Sequence, residues 1–144
     1  MNESVPLAAG STLIHSLNTG VPHAVIFVPD ADQVMVNQVG AEVRYHAHFK
    51  PKGTNVNFAQ VLGPNHIRVR TYERGVEDET LACGTGVCAA ALIFSRLTGA
   101  RSPVSVTVRG GDTLLVGFEK DGEGWKNVTL TGPADFVFDG TVSV

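Results

Sequence analysis

No apolar run in this 144-residue sequence approaches the roughly 20 residues needed to span a bilayer, so no membrane partner is expected. Basic residues are also short: 11 Lys and Arg stand against 14 Asp and Glu, a net charge of −3. With no basic stripe, nucleic acid is excluded as the main partner. The start, Met1-Asn2-Glu3-Ser4, lacks a basic n-region, and a secretory signal is not expected. Cysteine is scarce, with Cys83 and Cys88 alone. Two cysteines make no disulfide framework. Five residues apart on one helix they lie about 140° apart around its axis and pair poorly. Reduced thiols in a cytoplasmic protein are the simplest expectation. Recognisable zinc spacing is missing too, since neither Cys83/Cys88 nor His46-Ala47-His48 supplies it, and no metal is expected. Neither a P-loop nor a GxGxxG fingerprint is present.

What remains is a globular composition, 43% hydrophobic and 17% charged, at the length of about one domain. Sixteen glycines spread along the chain suit many turns between short strands. The class is α+β.

Residues Met1 to Ser11, small and polar apart from Val5 and Leu7, are expected to be a loose start, with the domain proper over residues 12–144. Thr12–Leu17 reads as a short strand, and Ala24–Val28 as a buried one bounded by turn signals. Val36, Val39 and Val43 recur at helical spacing after the caps Asp30 and Asp32, which predicts a helix from about Gln33 to His46. Asn55–Val61 and His66–Tyr72 alternate polar and apolar residues about the turn Gly63-Pro64-Asn65, the pattern of a hairpin. From Val87 a helix that is apolar nearly all round runs to Thr98, with Gly99 as its C-cap. Four strands are expected after it: Val104–Val108, Leu114–Phe118, Asn127–Thr131 and Asp135–Phe138. The architecture that fits is a curved mixed sheet, or partial barrel, of short strands around one central buried helix.

Between hairpin and helix a charged loop is expected to deliver a cysteine, in the stretch Thr71-Tyr72-Glu73-Arg74-Gly75, then Glu79-Thr80-Leu81-Ala82-Cys83-Gly84-Thr85-Gly86. A thiol at a helix N-terminus meets the macrodipole and free amides, which favour the thiolate. The amides of Gly84, Thr85 and Gly86 make a ready anion site, and the glycines flanking Thr85 admit a carboxylate or phosphate. Thr85 adds a hydroxyl. Glu73-Arg74 suits a zwitterionic amino acid, or forms a solvated surface pair. A nucleophilic hydrolase would need a histidine beside Cys83, and the sequence places none there. The bland alternative is that Cys83 is a small core residue; for Cys88, inside the apolar helix, packing is the expected role.

At these residues the chain resembles the diaminopimelate epimerase family. Tyr72-Glu73-Arg74-Gly75 with Glu79–Gly86 looks like that family's second cysteine motif. Gly20-Val21-Pro22-His23 is similar to its G-N-P-H element, and Thr54-Asn55-Val56-Asn57-Phe58 to its asparagine-bearing strand. Gly132-Pro133-Ala134 and Val137-Phe138-Asp139-Gly140 resemble its C-terminal ending. The resemblance runs from about Leu13 to Val144. It implies cofactor-independent interconversion of LL- and meso-diaminopimelate, for lysine and cell-wall synthesis, with two cysteines facing across the α-carbon. By resemblance Cys83 is one of them and the Gly84 and Thr85 amides hold the α-carboxylate. Glu73 and Arg74 would bind substrate, Asn55 would help read its distal amino-acid group, and His23 would orient active-site carboxylates.

Two departures matter. The family is about twice as long and carries its other cysteine in an N-terminal half that this sequence does not contain. Val21 stands where many members place a substrate-binding asparagine, for which Asn18 is the candidate substitute. One catalytic thiol cannot complete a two-base inversion. Three arrangements follow: a C-terminal domain inactive alone, a chain that pairs with a separate N-terminal half, or two copies sharing one site. The first is favoured, because residues 1–10 look like an arbitrary start. A proline-racemase-like isomerase half and a non-catalytic amino-acid or anion-binding module are the alternatives.

Overall fold

A computed structural model describes residues 2–144 and shows eleven regular elements, apart from two single turns of 3-10 helix. In chain order these are β1 (Asn2–Leu7), β2 (Gly10–Asn18), β3 (Pro22–Phe27), α1 (Val36–Arg44), β4 (Asn55–Gly63) and β5 (His66–Glu73). They continue with β6 (Asp78–Thr80), α2 (Gly84–Thr98), β7 (Val104–Val108), β8 (Thr113–Asp121) and β9 (Gly124–Thr131). The nine strands form one curved sheet in the order β1-β2-β3-β4-β5-β7-β8-β9, with β6 paired to β5. Pairing is antiparallel except at β3–β4 and β5–β7. Parallel neighbours need a crossover, and here α1 and α2 supply the two.

The strand period of two sorts the central residues between the helices. Val25, Ala59, Ile67 and Val69 face α2, while Ala24, Ile26, Val56, Phe58 and Tyr72 join the layer that packs on α1. The middle of the sheet is thus buried on both sides. The sheet curls about α2, which touches β2, β3, β4, β5, β7, β8 and β9. Val87, Ala89–Ser95 and Gly86 of α2 are buried, as its all-round apolar sequence predicts. Each large side chain among them, such as Phe94 or Leu92, contributes about 2 kcal/mol of burial. Gly99 ends the helix at φ 77°, the left-handed conformation that glycine adopts without penalty, and its amide bonds Ser95 O.

Four expectations are corrected. The start is not loose: β1 pairs with β2 from Asn2↔His15 to Leu7↔Gly10, because Val5 packs into the α1-side core. The helix expected over Gln33–His46 is shorter. Asp30 caps only the turn Ala31–Gln33, Val34 is extended (ψ 130°), and α1 begins at Val36. The loop after β5 contains β6, held to β5 from Thr71↔Thr80 to Glu73↔Asp78. Asp135–Phe138 is not a strand. Residues 132–144 have no regular structure, and Phe136, Val137 and Phe138 find neither a ladder partner nor a core among the described residues. The hairpin is as expected, with β4 and β5 in register from Val56↔Tyr72 to Gly63↔His66 across a bulge near Val61.

Candidate active site

The path from sheet to site begins at Glu79. Its carboxylate, nearly buried, accepts from Nε and Nη2 of Arg70 (2.6 and 2.7 Å) and pairs with Nη1 of Arg109 (2.8 Å). Glu79 N also donates to Asn37 Oδ1, and Gly110 N to Leu81 O. These bonds fix β6 and the turn that delivers Cys83 to the mouth of α2.

Cys83 is the N-cap, with extended backbone (φ −127°, ψ 106°), and its side chain caps nothing. The first helical bond is Val87 N to Cys83 O at 2.8 Å. Gly84, Thr85 and Gly86 therefore present amides that no earlier turn of helix can satisfy. Both cysteines are free thiols and half-buried. Burial, and the Cys83 charge, push the Cys88 thiol up. Cys88 packs against the α2-side core and borders a cavity of about 520 Å³ shared with Leu17, Thr85, Leu92, Trp125 and Leu130.

Behind Cys83 the structure lines up side chains from three strands. Thr71 Oγ1 donates to Asn57 Oδ1 (2.9 Å), and Asn57 Nδ2 lies 3.1 Å from both Ala24 O and His23 Nδ1. His23 Nε2 is 2.9 Å from Thr85 Oγ1, which is 3.6 Å from Cys83 Sγ. Thr19 Oγ1 donates to Thr85 O (2.8 Å) and ties the β2–β3 turn to the same helical turn. His23 is fully buried, and that burial, with the Arg74 charge next in weight, lowers its pKa to about 4. It is neutral at pH 7. No cluster of His, Cys, Asp and Glu among the described residues could hold a metal ion.

The remaining expected residues make contacts of their own. Asn55 is buried, and its carboxamide bonds Pro22 O (3.1 Å) and accepts from Arg74 N (2.8 Å), so it holds the loop that carries Arg74. The Arg74 side chain reaches Lys52 O (3.2 Å). Glu73, the last residue of β5, shares Thr71's face by alternation and so points to the α2 side. Asn18 accepts from Gly20 N (2.9 Å), a bond within its own turn, and borders the cavity beside Thr85. Gly86 is needed for a different contact from the one its sequence suggests. A Cβ there would sit 2.3 Å from Asn57 Oδ1 and 3.2 Å from His23 Cε1, so its bare Cα admits the Asn57 carboxamide.

Sequence reasoning missed Asn57, Thr71 and Thr19. A signal existed for the first. Alternation puts Asn55, Asn57 and Ala59 on one face of a strand whose other face carries Val56 and Phe58, and an asparagine between two buried layers demands partners.

A family model described as diaminopimelate epimerase matches residues 15–137. The chain is 50% identical over 129 residues to the diaminopimelate epimerase of Aquifex aeolicus, covering 88% of this chain and 45% of that one. It is 45% identical over 139 residues to the enzyme of that name from Chlorobaculum tepidum, covering 96% and 53%. Among solved structures, one described as a predicted epimerase from Pseudomonas aeruginosa superposes with a TM-score of 0.53 at 16% identity, over 75% of this chain and 36% of that one. That likeness is one of fold. The chain spans about half the length of the curated relatives it matches.

Proposed function

The chain belongs to the diaminopimelate epimerase family, and we propose that it supplies one half of an epimerase active site. The substrate in this reading is diaminopimelate, inverted at one α-carbon between the LL and meso forms without a cofactor. Cys83 is the acid–base thiol for one face. As thiolate it takes the α-proton; the electron pair stays on the carbanion, and a thiol on the opposite face returns a proton. The two thiols end with their protonation states exchanged. The opposite thiol comes from an N-terminal half, which the length of the relatives accommodates. A second copy of the chain is the other possible source. Two free thiols fit a reducing, cytoplasmic setting.

The observation that carries this reading is the half-buried Cys83 thiol at the head of α2, followed directly by three amides that no earlier turn of helix can satisfy. Those of Gly84 and Thr85 hold the α-carboxylate and take up charge as the carbanion forms. Thr85's hydroxyl bridges His23 and Cys83 and so serves the thiol. Glu73 and Arg74 contact the substrate's charged groups. Asn55 positions Arg74 through its amide and keeps one N–H for a ligand.

Solvent exchange tests it. Diaminopimelate is incubated in D2O with the chain, alone and with a matching N-terminal half, and α-deuterium is followed by NMR. Exchange or epimerisation is expected only with the partner half and not with Cys83→Ala. Full activity of Cys83→Ala beside the partner would remove the assignment.

A further inference from the structure

We propose that Asn57 is a positioning residue that sets the direction of the hydrogen bonds ending at Cys83, so that the Thr85 hydroxyl donates to the thiolate. The inference rests on Cys83 being the working thiol and deepens that reading.

The polarity follows from what each atom can do. Ala24 O only accepts, so the Asn57 atom 3.1 Å from it is the NH2 group, and the carboxamide oxygen faces Thr71 Oγ1. The second N–H of that group points to His23 Nδ1 at 3.1 Å. Nδ1 must then be the acceptor, and a neutral imidazole with an acceptor at Nδ1 carries its proton on Nε2. Nε2–H donates to Thr85 Oγ1 at 2.9 Å. The hydroxyl's own hydrogen is released toward Cys83 Sγ, 3.6 Å away. Each link runs one way, from Thr71 to the sulfur. If His23 were protonated on Nδ1 instead, Nε2 would accept from Thr85 and the thiolate would lose its donor.

Asn57 touches neither Cys83 nor the space in front of it. It acts through His23, and its own orientation is over-determined by Thr71, Ala24 and the bare Cα of Gly86. Charged and titratable groups near this line include Glu73 on Thr71's face of β5, Arg74 just beyond that strand, Cys88 one turn along α2, and Glu3 and His48 across a cavity that borders His23. Glu3 and His48 pair with each other at 2.7 Å.

Asn57→Asp tests the idea, because a carboxylate can only accept. It would draw the proton to Nδ1 and reverse the line with little change in shape. In a Cys88→Ala background, 15N NMR of the imidazole should show His23 as the Nε2–H tautomer, and as Nδ1–H or imidazolium in Asn57→Asp. Cys83 alkylation by iodoacetamide at pH 7 should fall about tenfold in Asn57→Asp and in Thr85→Val, the loss of one hydrogen bond to a charged group. Thr85→Ser should retain the rate, and the double variant should fall no further than either single one. An Nδ1–H tautomer in the unsubstituted chain would overturn the proposal, as would an unchanged alkylation rate in folded Thr85→Val. The tautomer and Thr85→Val decide the matter even if Asn57→Asp fails to fold. Neither readout uses diaminopimelate, so failure of the epimerase reading would show separately, in solvent exchange.

Discussion

His23 Nε2 and the Thr85 hydroxyl meet at 2.9 Å although 62 positions separate them in the chain. The contact joins the start of β3 to the first turn of α2, and it has a pH signature. Burial and Arg74 hold His23 at about 4, below its ordinary 6.5. Between those values the unfolded chain binds a proton that the folded chain refuses, so stability falls as pH drops from 6.5 toward 4 and levels off below. The full loss is on the order of 3 kcal/mol. Chemical unfolding of the unsubstituted chain and of His23→Gln at pH 7, 5.5 and 4 checks it. The stability gap should narrow as pH falls, and a constant gap would contradict a neutral His23.

Glu77 predicts a second, more acidic transition. It adopts φ 60°, and its carboxylate accepts from Gly75 N, the Tyr45 hydroxyl and Arg44 Nε. The Gly75 amide, then Tyr45, and after them Arg44 lower its pKa to about 2 from 4.5. A depressed carboxylate stabilises the fold fully above 4.5, and the contribution disappears as pH falls through 2. Glu77→Gln should therefore cost about 1–2 kcal/mol at pH 7 and nothing near pH 2. Circular dichroism along an acid titration of both proteins reads the difference.

Cys83 and Cys88 should part company in reactivity. Cys88 is inside the helix, with its thiol pushed up by burial, whereas Cys83 occupies the N-cap position with its side chain left uncommitted to capping. Limiting iodoacetamide followed by peptide mass mapping should find Cys83 modified first in the folded protein. Preferential labelling of Cys88, or equal slow labelling of both, would count against a reactive Cys83.

Two glycine substitutions separate packing from chemistry. A Cβ on Gly40 would come within 2.4 Å of Tyr72 Cβ, where α1 closes on β5, and one on Gly86 within 2.3 Å of Asn57 Oδ1. Each alanine variant should lose about 1–3 kcal/mol by overpacking. Only Gly86→Ala, at a temperature where both are folded, should also slow alkylation of Cys83. Equal alkylation rates in the two variants would show that the Gly86 contact does not reach the thiol.

Much of this was legible in the residues. A helix apolar on every face has to be surrounded, and the strands that alternate or run apolar had to do the surrounding; α2 and its curved sheet follow. The thiol and its free amides could be read from Cys83-Gly84-Thr85-Gly86 alone. What could not be read was long-range. Nothing local marks Val5 as a core residue until it packs in one cluster with Ile14, and Phe136–Phe138 is a short apolar run that reads as a buried strand yet has no ladder to join among the described residues. Asn57 and Thr71 looked like polar positions of a half-buried hairpin. The sheet is covered on both faces, and that turned them into buried groups with obligatory partners.

The wrapping of α2 has a consequence for how function can be lost. Amides in its middle can meet solvent only if the surrounding strands part, so their hydrogen-exchange protection should track the stability of the whole domain. Cys83 stands at the N-cap of that enclosed element. Local breathing at β1 or along residues 132–144 leaves it in register, and heat or denaturant would remove the thiol's geometry and the fold in one cooperative event.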